Sequence, residues 1–521
     1  MGWNGKNSRD RIKERDFKSR EISLKDLTKE MDLTNLGPKD VRRVNGAHIY
    51  IDTPNFHELV WKCRDDKSKQ KKLIRALNTL QRVWSDICKD TDLVSIQIQS
   101  SRLHLICYKP YDNFSKIVEV AVSASLDFIT YIYEIFNKSF GELDNFRCSA
   151  GVAFGEFLVC NIGAKGNREL LSIGSPANMG AKILNGSRNV TLTKEAYDLL
   201  PDDLKKLFSS KTIRGYKVYK LPSATWDNQS NEIRDKYCSN YNNDSLKGIT
   251  EDYKASIKLD DIDIAGINEK ICFDSLTEKN CKRFHSSNLF ADLDGFTKLI
   301  QEAEDDAQVK ELVRIFHGVR AELQSVIQDF SGTVVSHRGD CVIGTFSCPT
   351  GKEDKNSRIK NSIEAAIGIN SSMVLLNEYF SEYKNLKIAI GMDEGLTIAT
   401  RLGKQGQKEN IIIGTSVIAA ETVQQFYTEG DFTSISKNCF EKIEDENVKG
   451  YFDKKAEGHY SAKSLTFSKL NDETKKSASE GRRTASLGCG SIKVGSSKKP
   501  VKSNSHINTH AHCCTRGSCE L

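Results

Sequence analysis

The chain has 521 residues, of which 38% are hydrophobic and 28% charged, and its formal net charge is +6. This length exceeds one ordinary hydrophobic core and predicts two large domains of a soluble globular protein. The small net charge gives no support for nucleic-acid binding by the folded part. No apolar run reaches the ~20 residues that span a bilayer, and the polar N-terminus lacks a signal-peptide core. We therefore expect a cytoplasmic protein that has no membrane partner.

The first part of the chain alternates between strand-like and helix-like patterns. Residues 1–43 are highly charged with few hydrophobic residues, which predicts a flexible or weakly helical polar arm. The periodicity then predicts a strand, a helical stretch, two short strands, a long helix and a further strand, at 47–52, 56–89, 93–99, 102–108, 114–140 and 146–153. This β-α-β-β-α-β order is that of a ferredoxin-like fold, so the predicted fold class is α+β.

The same order of elements recurs in the second half of the chain. We place the first domain at 44–221, a polar linker at 222–285, the second domain at 286–465 and a disordered tail at 466–521. Six residues of the second domain have an identical residue 240 positions earlier: Asp292, Gly391, Gly395, Gly403, Gly406 and Gly414 match Asp52, Gly151, Gly155, Gly163, Gly166 and Gly174. Identities at one fixed offset indicate a tandem duplication.

Two acidic residues of the second domain are candidate metal ligands. Asp292 ends a short apolar run, and Asp340 lies in the hairpin that spans 333–343. Two carboxylates that converge from neighbouring strands can hold Mg²⁺ or Mn²⁺ and leave positions open for phosphate oxygens. The alternative is that each acid only caps the helix or turn that follows it.

Three segments of the second half carry a family resemblance. They are Phe290-Ala-Asp-Leu-Asp-Gly-Phe-Thr297, Arg338-Gly-Asp-Cys-Val-Ile-Gly-Thr-Phe346, and the run of glycines from Gly391 to Gly414. Together they resemble the catalytic domain of class III nucleotidyl cyclases, over roughly 44–200 and 286–450. The resemblance implies a head-to-tail pair of such domains, here an intramolecular pseudo-dimer, with active sites at the interface between them.

The resemblance also implies how an active site is divided between two domains. One domain supplies two metal aspartates for two Mn²⁺ or Mg²⁺ ions, and Leu293 belongs to the same metal site. The partner domain supplies an Asn and a basic residue on the helix after the last glycine. The reaction would convert a ribonucleoside triphosphate to a 3′,5′-cyclic nucleotide and pyrophosphate.

The two halves have lost complementary parts of this pattern. The second half keeps Asp292 and Asp340, but Ile418 and Thr422 replace its Asn and basic residue. The first half has Asn178 and Lys182 at those positions. It also keeps Asp52, while Arg102 is expected to replace its second acid. The sequence therefore predicts one complete site, built from Asp292, Asp340, Asn178 and Lys182, and one degenerate site at Asp52 and Arg102.

Three further residues are candidates for substrate binding. Residues two apart in a strand share a face, so Phe290 should lie beside Asp292, Tyr50 beside Asp52, and Arg338 beside Asp340. The aromatic rings could stack on a base or sugar, and Arg338 could bind a phosphate or a base carbonyl. The alternative for the aromatic residues is ordinary core packing.

The base-selecting positions of the family match neither purine type. In the first half they fall near Ile98 and on Leu171, and in the second half on Ser336 and Ile411. Neither the Lys/Asp pair typical of adenylyl cyclases nor the Glu/Cys pair typical of guanylyl cyclases is present. This pattern resembles the pyrimidine cyclases of bacterial antiphage defence, which make cyclic UMP or cyclic CMP for a separately encoded effector.

Two alternatives remain open at this stage. One is an adenylate or guanylate cyclase whose selecting residues are displaced by a position or two along the strands. The other is a catalytically dead, nucleotide-binding pseudo-cyclase, which the missing Arg and the half-degenerate architecture would favour. The sequence also leaves open a monomeric pseudo-dimer or a homodimer, since internal pairing already provides each domain with a partner.

Overall fold

A computed structural model of the chain describes residues 2–91, 93–98, 101–163, 169–222, 225, 243–349, 357–381, 385–428, 430–455 and 458–471. The repeated Gly166 and most of the predicted tail lie outside these residues. The strands are β1 Ser23–Asp26, β2 Asp40–Asp52, β3 Val94–Ile98, β4 Arg102–Cys107, β5 Ser149–Ile162, β6 Glu169–Ile173, β7 Val190–Leu192, β8 Ser209–Ile213, β9 Tyr216–Leu221, β10 Asp263–Ala265, β11 Asn280–Asp294, β12 Thr333–Arg338, β13 Cys341–Ser347, β14 Lys387–Leu402, β15 Glu409–Ile413, β16 Phe432–Ile435, β17 Asp453–Lys454 and β18 Tyr460–Lys463.

The helices alternate with these strands. They are α1 Gly5–Arg15, α2 Phe56–Cys63, α3 Lys67–Asp90, α4 Phe114–Thr130, α5 Ser175–Lys182, α6 Lys194–Asp198, α7 Asp202–Lys205, α8 Asn243–Ala255, α9 Phe296–Gln301, α10 Asp306–Asp329, α11 Ser357–Tyr379, α12 Thr415–Tyr427, α13 Lys437–Glu441 and α14 Glu446–Lys449. Helix α4 continues as a π-helical segment, Tyr131–Phe136, and a last turn, Asn137–Ser139. In the described part of the chain no helix is long and apolar enough to cross a membrane.

Each half of the chain forms one nine-stranded sheet with the same topology. The order is β3-β4-β2-β5-β7-β9-β8 in the first sheet and β12-β13-β11-β14-β16-β18-β17 in the second. The arrangement of β2 to β5 is that of a ferredoxin-like fold, which confirms the predicted fold class. Both hairpins also carry a register shift at the same place, between Ser95 and Gln97 and between Val334 and Ser336.

Two of the repeated glycines allow a helix to approach the sheet closely. A Cβ atom on Gly391 would lie 2.3 Å from the backbone nitrogen of Gln424 in α12. A Cβ atom on Gly151 would lie 2.3 Å from the backbone oxygen of Gly180 in α5. Because such distances are shorter than van der Waals contact, only glycine fits at these two positions. The repeat therefore preserves the seating of α5 and α12, the two helices that follow the last glycine.

The two domains exchange parts of their hydrophobic cores. Apolar residues of β5 and β6 pack in the core of the second domain: Leu158, Cys160, Ile162, Leu171 and Ile173. Apolar residues of β14 and β15 pack reciprocally in the core of the first: Ile398, Leu402, Ile411 and Ile413. Each domain thus buries a strand pair against its partner, which fixes the head-to-tail pairing within one chain.

Residues 2–43 contain helix α1 and strand β1, both packed on the folded domains, which corrects the prediction of a flexible or weakly helical arm at 1–43. Its helix α1 lies across α10 and α11 of the second domain, where Ile12 is buried. Arg11 forms a salt bridge of 2.8 Å with Glu322, whose side chain is 1% exposed. The arm was mispredicted because its few apolar residues pack against folded domains, Ile12 and Ile22 in the core of the second and Leu27, Leu33 and Leu36 against the first. Periodicity within the arm does not reveal these surfaces.

The repeat also extends further than its glycines indicate. Strand β1 pairs in parallel with β2, with Ser23 opposite Asp40, and β10 pairs in parallel with β11, with Asp263 opposite Asn280. These pairs are again related by 240 residues, so each repeat begins about 20 residues before the predicted domain boundary. The described part of the linker includes α8, which packs on α3 through a hydrogen bond of 2.8 Å from Tyr253 to Asp86.

The contact between α1 and α10 leads to a first prediction. Replacing Arg11 with Ala should lower the free energy of unfolding by about 2 kcal/mol, because the buried carboxylate of Glu322 then lacks a cation. Replacing Arg9 with Ala is the matched control, since its 3.6 Å pair with Glu378 is solvent-exposed. We expect it to cost less than about 0.5 kcal/mol. Urea titration of both variants measures the difference, and equal effects would contradict the role given to Arg11.

Candidate active site

A cleft of about 260 Å³ lies at the interface between the two domains. The first domain contributes Tyr50, Glu169 and Asn178 to its wall, and the second contributes Phe290, Asp292 and Asp340. The candidate residues come from both repeats, as expected for a site shared between paired domains. The cleft is the place where these distant parts of the chain meet.

The two candidate metal ligands are brought together by strand register. On the central strand β11, Asp292 lies opposite Cys341 of β13, and Asp340 immediately precedes Cys341 in the turn of the β12–β13 hairpin. Gly339 in that turn has φ 61°, a left-handed conformation that favours glycine. The turn therefore directs Asp340 back toward the end of β11, and both carboxylates line the cleft.

The two carboxylates are held in an environment that disfavours their charge. Burial raises the pKa of Asp292 well above its ordinary value, and the neighbouring Asp340 raises it further. Burial likewise raises the pKa of Asp340, to about 6. The side-chain amide of Gln424 donates a hydrogen bond of 3.4 Å to Asp292. A divalent cation would relieve the repulsion between two adjacent buried carboxylates.

The donor set fits a hard divalent cation. Carboxylate oxygens are preferred ligands of Mg²⁺ and Mn²⁺. The Leu293 side chain is 1% exposed and packs in the core, so this residue can contribute only its backbone. Across the described residues, no group of three or more His, Cys, Asp or Glu side chains is arranged to hold a metal ion. Two carboxylates and a main-chain oxygen would leave coordination positions on the cation that phosphate oxygens of a substrate can fill.

Helix α5 brings one of its two predicted residues to the cleft. Pro176 lies in the first turn, a favourable position because proline lacks the backbone N–H that has no partner there. Asn178 follows in the same turn and lines the cleft. Lys182, at the C-terminal end of the helix, is exposed and lies outside the part of the described chain that lines the cleft.

The predicted substrate-binding residues also lie at the cleft. The Tyr50 ring stacks on His104 with their centroids 4.2 Å apart. Phe290 is 2% exposed, and the guanidinium of Arg338 lies 5.5 Å from its ring centroid. Arg338 also forms a salt bridge of 2.9 Å with Glu421 of α12. Arg338 is thus oriented in advance, and the Phe290 ring contributes mainly to packing.

A second, smaller cleft of about 60 Å³ lies at the symmetry-related position. Its wall includes Ser101, Arg102, Gly414 and Ile418. Arg102 forms a salt bridge of 3.0 Å with Asp52, so a cation from the protein already occupies the place next to this acid. With Ile418 in place of the Asn, this cleft lacks both the acid pair and the amide of the larger one.

The strand register corrects one predicted correspondence. Arg102 lies opposite Asp52 in β4, as Cys341 lies opposite Asp292 in β13. Ser101, and not Arg102, therefore occupies the position that corresponds to Asp340. The prediction was wrong by one residue because it assumed a two-residue insertion, whereas the hairpins match at an offset of 239. The degenerate site still lacks a second acid.

The register also moves one base-selecting position. Gln97 lies opposite His104 in the first hairpin, as Ser336 lies opposite Ile343 in the second, so Gln97 and not Ile98 corresponds to Ser336. Gln97 and Leu171 both line the cleft. The Gln97 amide donates a hydrogen bond to the backbone oxygen of His337, across the domain interface.

Three charged or titratable residues at the cleft were not identified from the sequence. Glu169 of β6 forms a salt bridge of 3.3 Å with Arg320 of α10 and lies 3.5 Å from the ring nitrogen Nδ1 of His337 in β12. The repeat offers one signal, since Glu409 lies 240 residues after Glu169. Arg320 and His337 have no such signal, because they are placed only by the packing of α10 and β12 against the first domain.

The electrostatics of the acid pair leads to a second prediction. Asp340→Asn should raise the melting temperature of the metal-free protein, because one of two adjacent buried carboxylates loses its charge. The pKa of about 6 in the folded state lies above the ordinary Asp value, so the wild type loses stability as pH rises from about 4 to above 6. The increase in melting temperature that Asp340→Asn gives should therefore become larger as the pH rises over the same range.

The same variant should lose the stabilisation that Mn²⁺ gives the wild type. Asp294→Asn, which removes a nearby exposed carboxylate, is the control and should keep it. Thermal unfolding with and without Mn²⁺ at two pH values measures both effects. An undiminished Mn²⁺ response in Asp340→Asn would exclude this acid as a ligand.

Comparison with known proteins identifies the family of the second domain. Residues 284–462 match the adenylate and guanylate cyclase catalytic domain. A uridylate cyclase of Pseudomonas aeruginosa is 28% identical over 508 residues, which cover 94% of this chain and 95% of the relative. A uridylate cyclase of a Rhizobium species is 25% identical over 421 residues, covering 76% of this chain and 78% of the relative.

A solved structure shares the arrangement of both domains. A class III adenylyl cyclase-like ATP-binding protein from Pseudomonas aeruginosa superimposes with a TM-score of 0.74 at 25% identity, covering 91% of this chain and 99% of that one. The alignment therefore extends over the whole tandem architecture and not over one domain alone. Residues 284–462 are therefore an adenylate and guanylate cyclase catalytic domain, and the relatives and the superimposed structure extend the similarity along most of the chain.

Proposed function

We propose that the protein is a uridylate cyclase, which converts UTP to cyclic UMP and pyrophosphate at one interdomain site. The observation that carries the proposal is the complementary assembly of the larger cleft, where Asp292 and Asp340 of one domain meet Asn178 of the other. The smaller cleft, with Ser101, Arg102 and Ile418, is the degenerate counterpart.

The chain's own residues divide the work between the two domains. Asp292 and Asp340, with the backbone of Leu293, would hold two Mg²⁺ or Mn²⁺ ions. The bound ions would supply Lewis-acid activation of the ribose 3′-hydroxyl and neutralise charge on the phosphoryl oxygens. Asn178 would orient the ribose for in-line attack on the α-phosphate. The half-buried Tyr50 and the buried Phe290 would limit access of water to the reacting centre.

The position of Lys182 bears on how the transition state is stabilised. Its exposed side chain lies one helical turn from Asn178 on the same face of α5, so a change of rotamer could bring the ammonium to the triphosphate. Lys keeps the positive charge of the family's usual Arg but lacks its planar fork. We propose that Lys182 binds the phosphates after the substrate has entered.

Two observations support uracil as the base. Both of the uridylate cyclases described above align along most of this chain. The residues at the base-selecting positions of the complete site, Gln97 and Leu171, are neither the adenine-selecting nor the guanine-selecting pair. Cyclisation of CTP to cyclic CMP is the alternative within the pyrimidine class.

A second candidate function is nucleotide binding without turnover, or cyclisation of ATP. The solved structure that superimposes on both domains is described as an ATP-binding protein. The exposed Lys182 and the absence of the usual Arg favour a pseudo-cyclase. The intact pair Asp292 and Asp340 favours turnover.

The biological role follows from the same resemblance. We propose that the cyclic nucleotide acts as a second messenger in defence against phage and activates a separately encoded effector. Both relatives that support the uridylate activity are bacterial proteins. A cytoplasmic location would give the enzyme access to its triphosphate substrate.

A substrate panel tests the activity directly. We expect purified protein with Mn²⁺ to convert UTP to cyclic UMP and pyrophosphate, with slower or no turnover of CTP, ATP and GTP. Mass spectrometry of the products identifies each cyclic nucleotide. A predominantly cyclic purine product would overturn the pyrimidine assignment, and binding of ATP without any product would support the pseudo-cyclase.

Variants matched across the repeat test the shared site. Asp340→Ala should lower kcat by about 10³-fold, which corresponds to the loss of several kcal/mol of transition-state stabilisation. Asn178→Ala should lower kcat by about 10²-fold. The corresponding changes at the degenerate cleft, Ser101→Ala and Ile418→Ala, should leave kcat within about twofold, since neither side chain contacts the reacting atoms. If Asn178→Ala retained full activity, the interdomain model would be wrong.

A further inference from the structure

The charged cluster formed by Glu169, Arg320 and His337 spans the domain interface at the wall of the cleft. Arg320 is 2% exposed, and it donates hydrogen bonds of 3.3 Å to Glu169 and to the backbone oxygen of Ile162. His337 is also 2% exposed, whereas the Glu169 side chain is 38% exposed and faces the cleft. Glu169 is therefore the member of the cluster that a bound molecule can reach.

The carboxylate of Glu169 is held as a charged acceptor. Burial by itself would raise its pKa, but the neighbouring His337 and the charge of Arg320 outweigh that effect, so the pKa is lowered. The hydrogen bond of 3.3 Å from Arg320 orients the carboxylate, and His337 lies beside it with its ring nitrogen Nδ1 at 3.5 Å. An ionised and oriented carboxylate accepts hydrogen bonds but donates none.

The cluster is absent from the degenerate cleft. Glu409 occupies the position of Glu169 in the second repeat, but Gln81 and Ile98 occupy the positions of Arg320 and His337 in the first. Burial raises the pKa of Glu409 to about 7, and the negative charge of the nearby Glu169 also raises it. The arginine and histidine thus accompany the glutamate only at the cleft that contains the acid pair.

The position of the cluster relative to the metal ligands suggests what it contacts. His337 lies three residues before Asp340, so about 10 Å of strand separates Glu169 from the metal end of the cleft. This separation is comparable to the length of a nucleoside monophosphate. With the phosphates at Asp292 and Asp340, the base would extend toward Glu169. Leu171, which shares a strand face with Glu169, would lie beside the base.

We propose that Glu169 is a specificity-determining residue that accepts a hydrogen bond from N3–H of uracil, with Arg320 and His337 holding its carboxylate in place. This inference rests on the proposed uridylate cyclase activity. Uracil carries a proton on N3, whereas N3 of cytosine carries a lone pair that a carboxylate repels. A fixed carboxylate at this point therefore favours UTP over CTP.

A conservative substitution tests the proposal. The amide of Glu169→Gln can rotate to accept from N3–H of uracil or to donate to N3 of cytosine. We expect the ratio of kcat/KM for UTP to kcat/KM for CTP to fall at least about 10-fold. Glu409→Gln, the same change at the corresponding position of the repeat, should leave the ratio within about twofold. An unchanged ratio in Glu169→Gln, whether or not both rates fall, would overturn the proposal, because a purely structural contact affects both substrates equally.

A modified substrate tests the same contact in the wild-type protein and does not depend on how the variant folds. UTP methylated at N3 lacks the proton, so its kcat/KM should fall at least about 10-fold relative to UTP. Turnover of the methylated substrate within twofold of UTP would overturn the proposal. Failure of the proposed function itself is distinguishable, since wild-type protein would then form no cyclic UMP from UTP.

Discussion

The reciprocal packing of strand pairs between the two domains is the constraint on which the rest of the structure depends. Apolar residues such as Ile162 of β5 and Ile398 of β14 lie in the partner domain's core. Burial of this apolar surface stabilises the pairing. It also brings β6 and α5 of the first domain to the same cleft as β11 and β12 of the second. The larger cleft exists because of that placement, since neither repeat alone carries all of its residues.

Electrostatic pairing prepares the cleft before any substrate enters. Three arginines at or near its wall each have an acidic partner: Arg102 with Asp52, Arg320 with Glu169, and Arg338 with Glu421. These pairs fix guanidinium groups that would otherwise rotate freely, so less side-chain entropy is lost on binding. Asp292 and Asp340 differ, because they lie beside each other, burial raises the pKa of both, and Asp340 raises that of Asp292 further. A divalent ion is therefore the natural counter-charge for the pair.

The pairing of the two domains forms two clefts, and the repeats have diverged at the residues that line them. The larger cleft contains Asp292, Asp340 and Asn178, whereas the smaller one contains Ser101 and Ile418 at positions that correspond to Asp340 and Asn178. The substitutions fit that pattern, because Ser101, Arg102 and Ile418 fill the smaller cleft without disturbing β4 or α12. Arg102 is the clearest case: it lines both clefts, and its salt bridge of 3.0 Å places a positive charge beside Asp52.

The sequence by itself determined the two ferredoxin-like repeats, the acid pair at Asp292 and Asp340, and the complementary losses, because each depends on local periodicity or on a fixed offset. The predicted register of the first hairpin was wrong by one residue at Ser101 and Gln97, because the alternation of side chains along a strand does not reveal how many residues form the turn. Only the tertiary structure showed that the N-terminal arm packs on the folded domains and that Glu169 contacts Arg320 and His337. Those contacts join residues more than 150 positions apart, and their physical basis is the packing of one domain against the other, which no local pattern encodes.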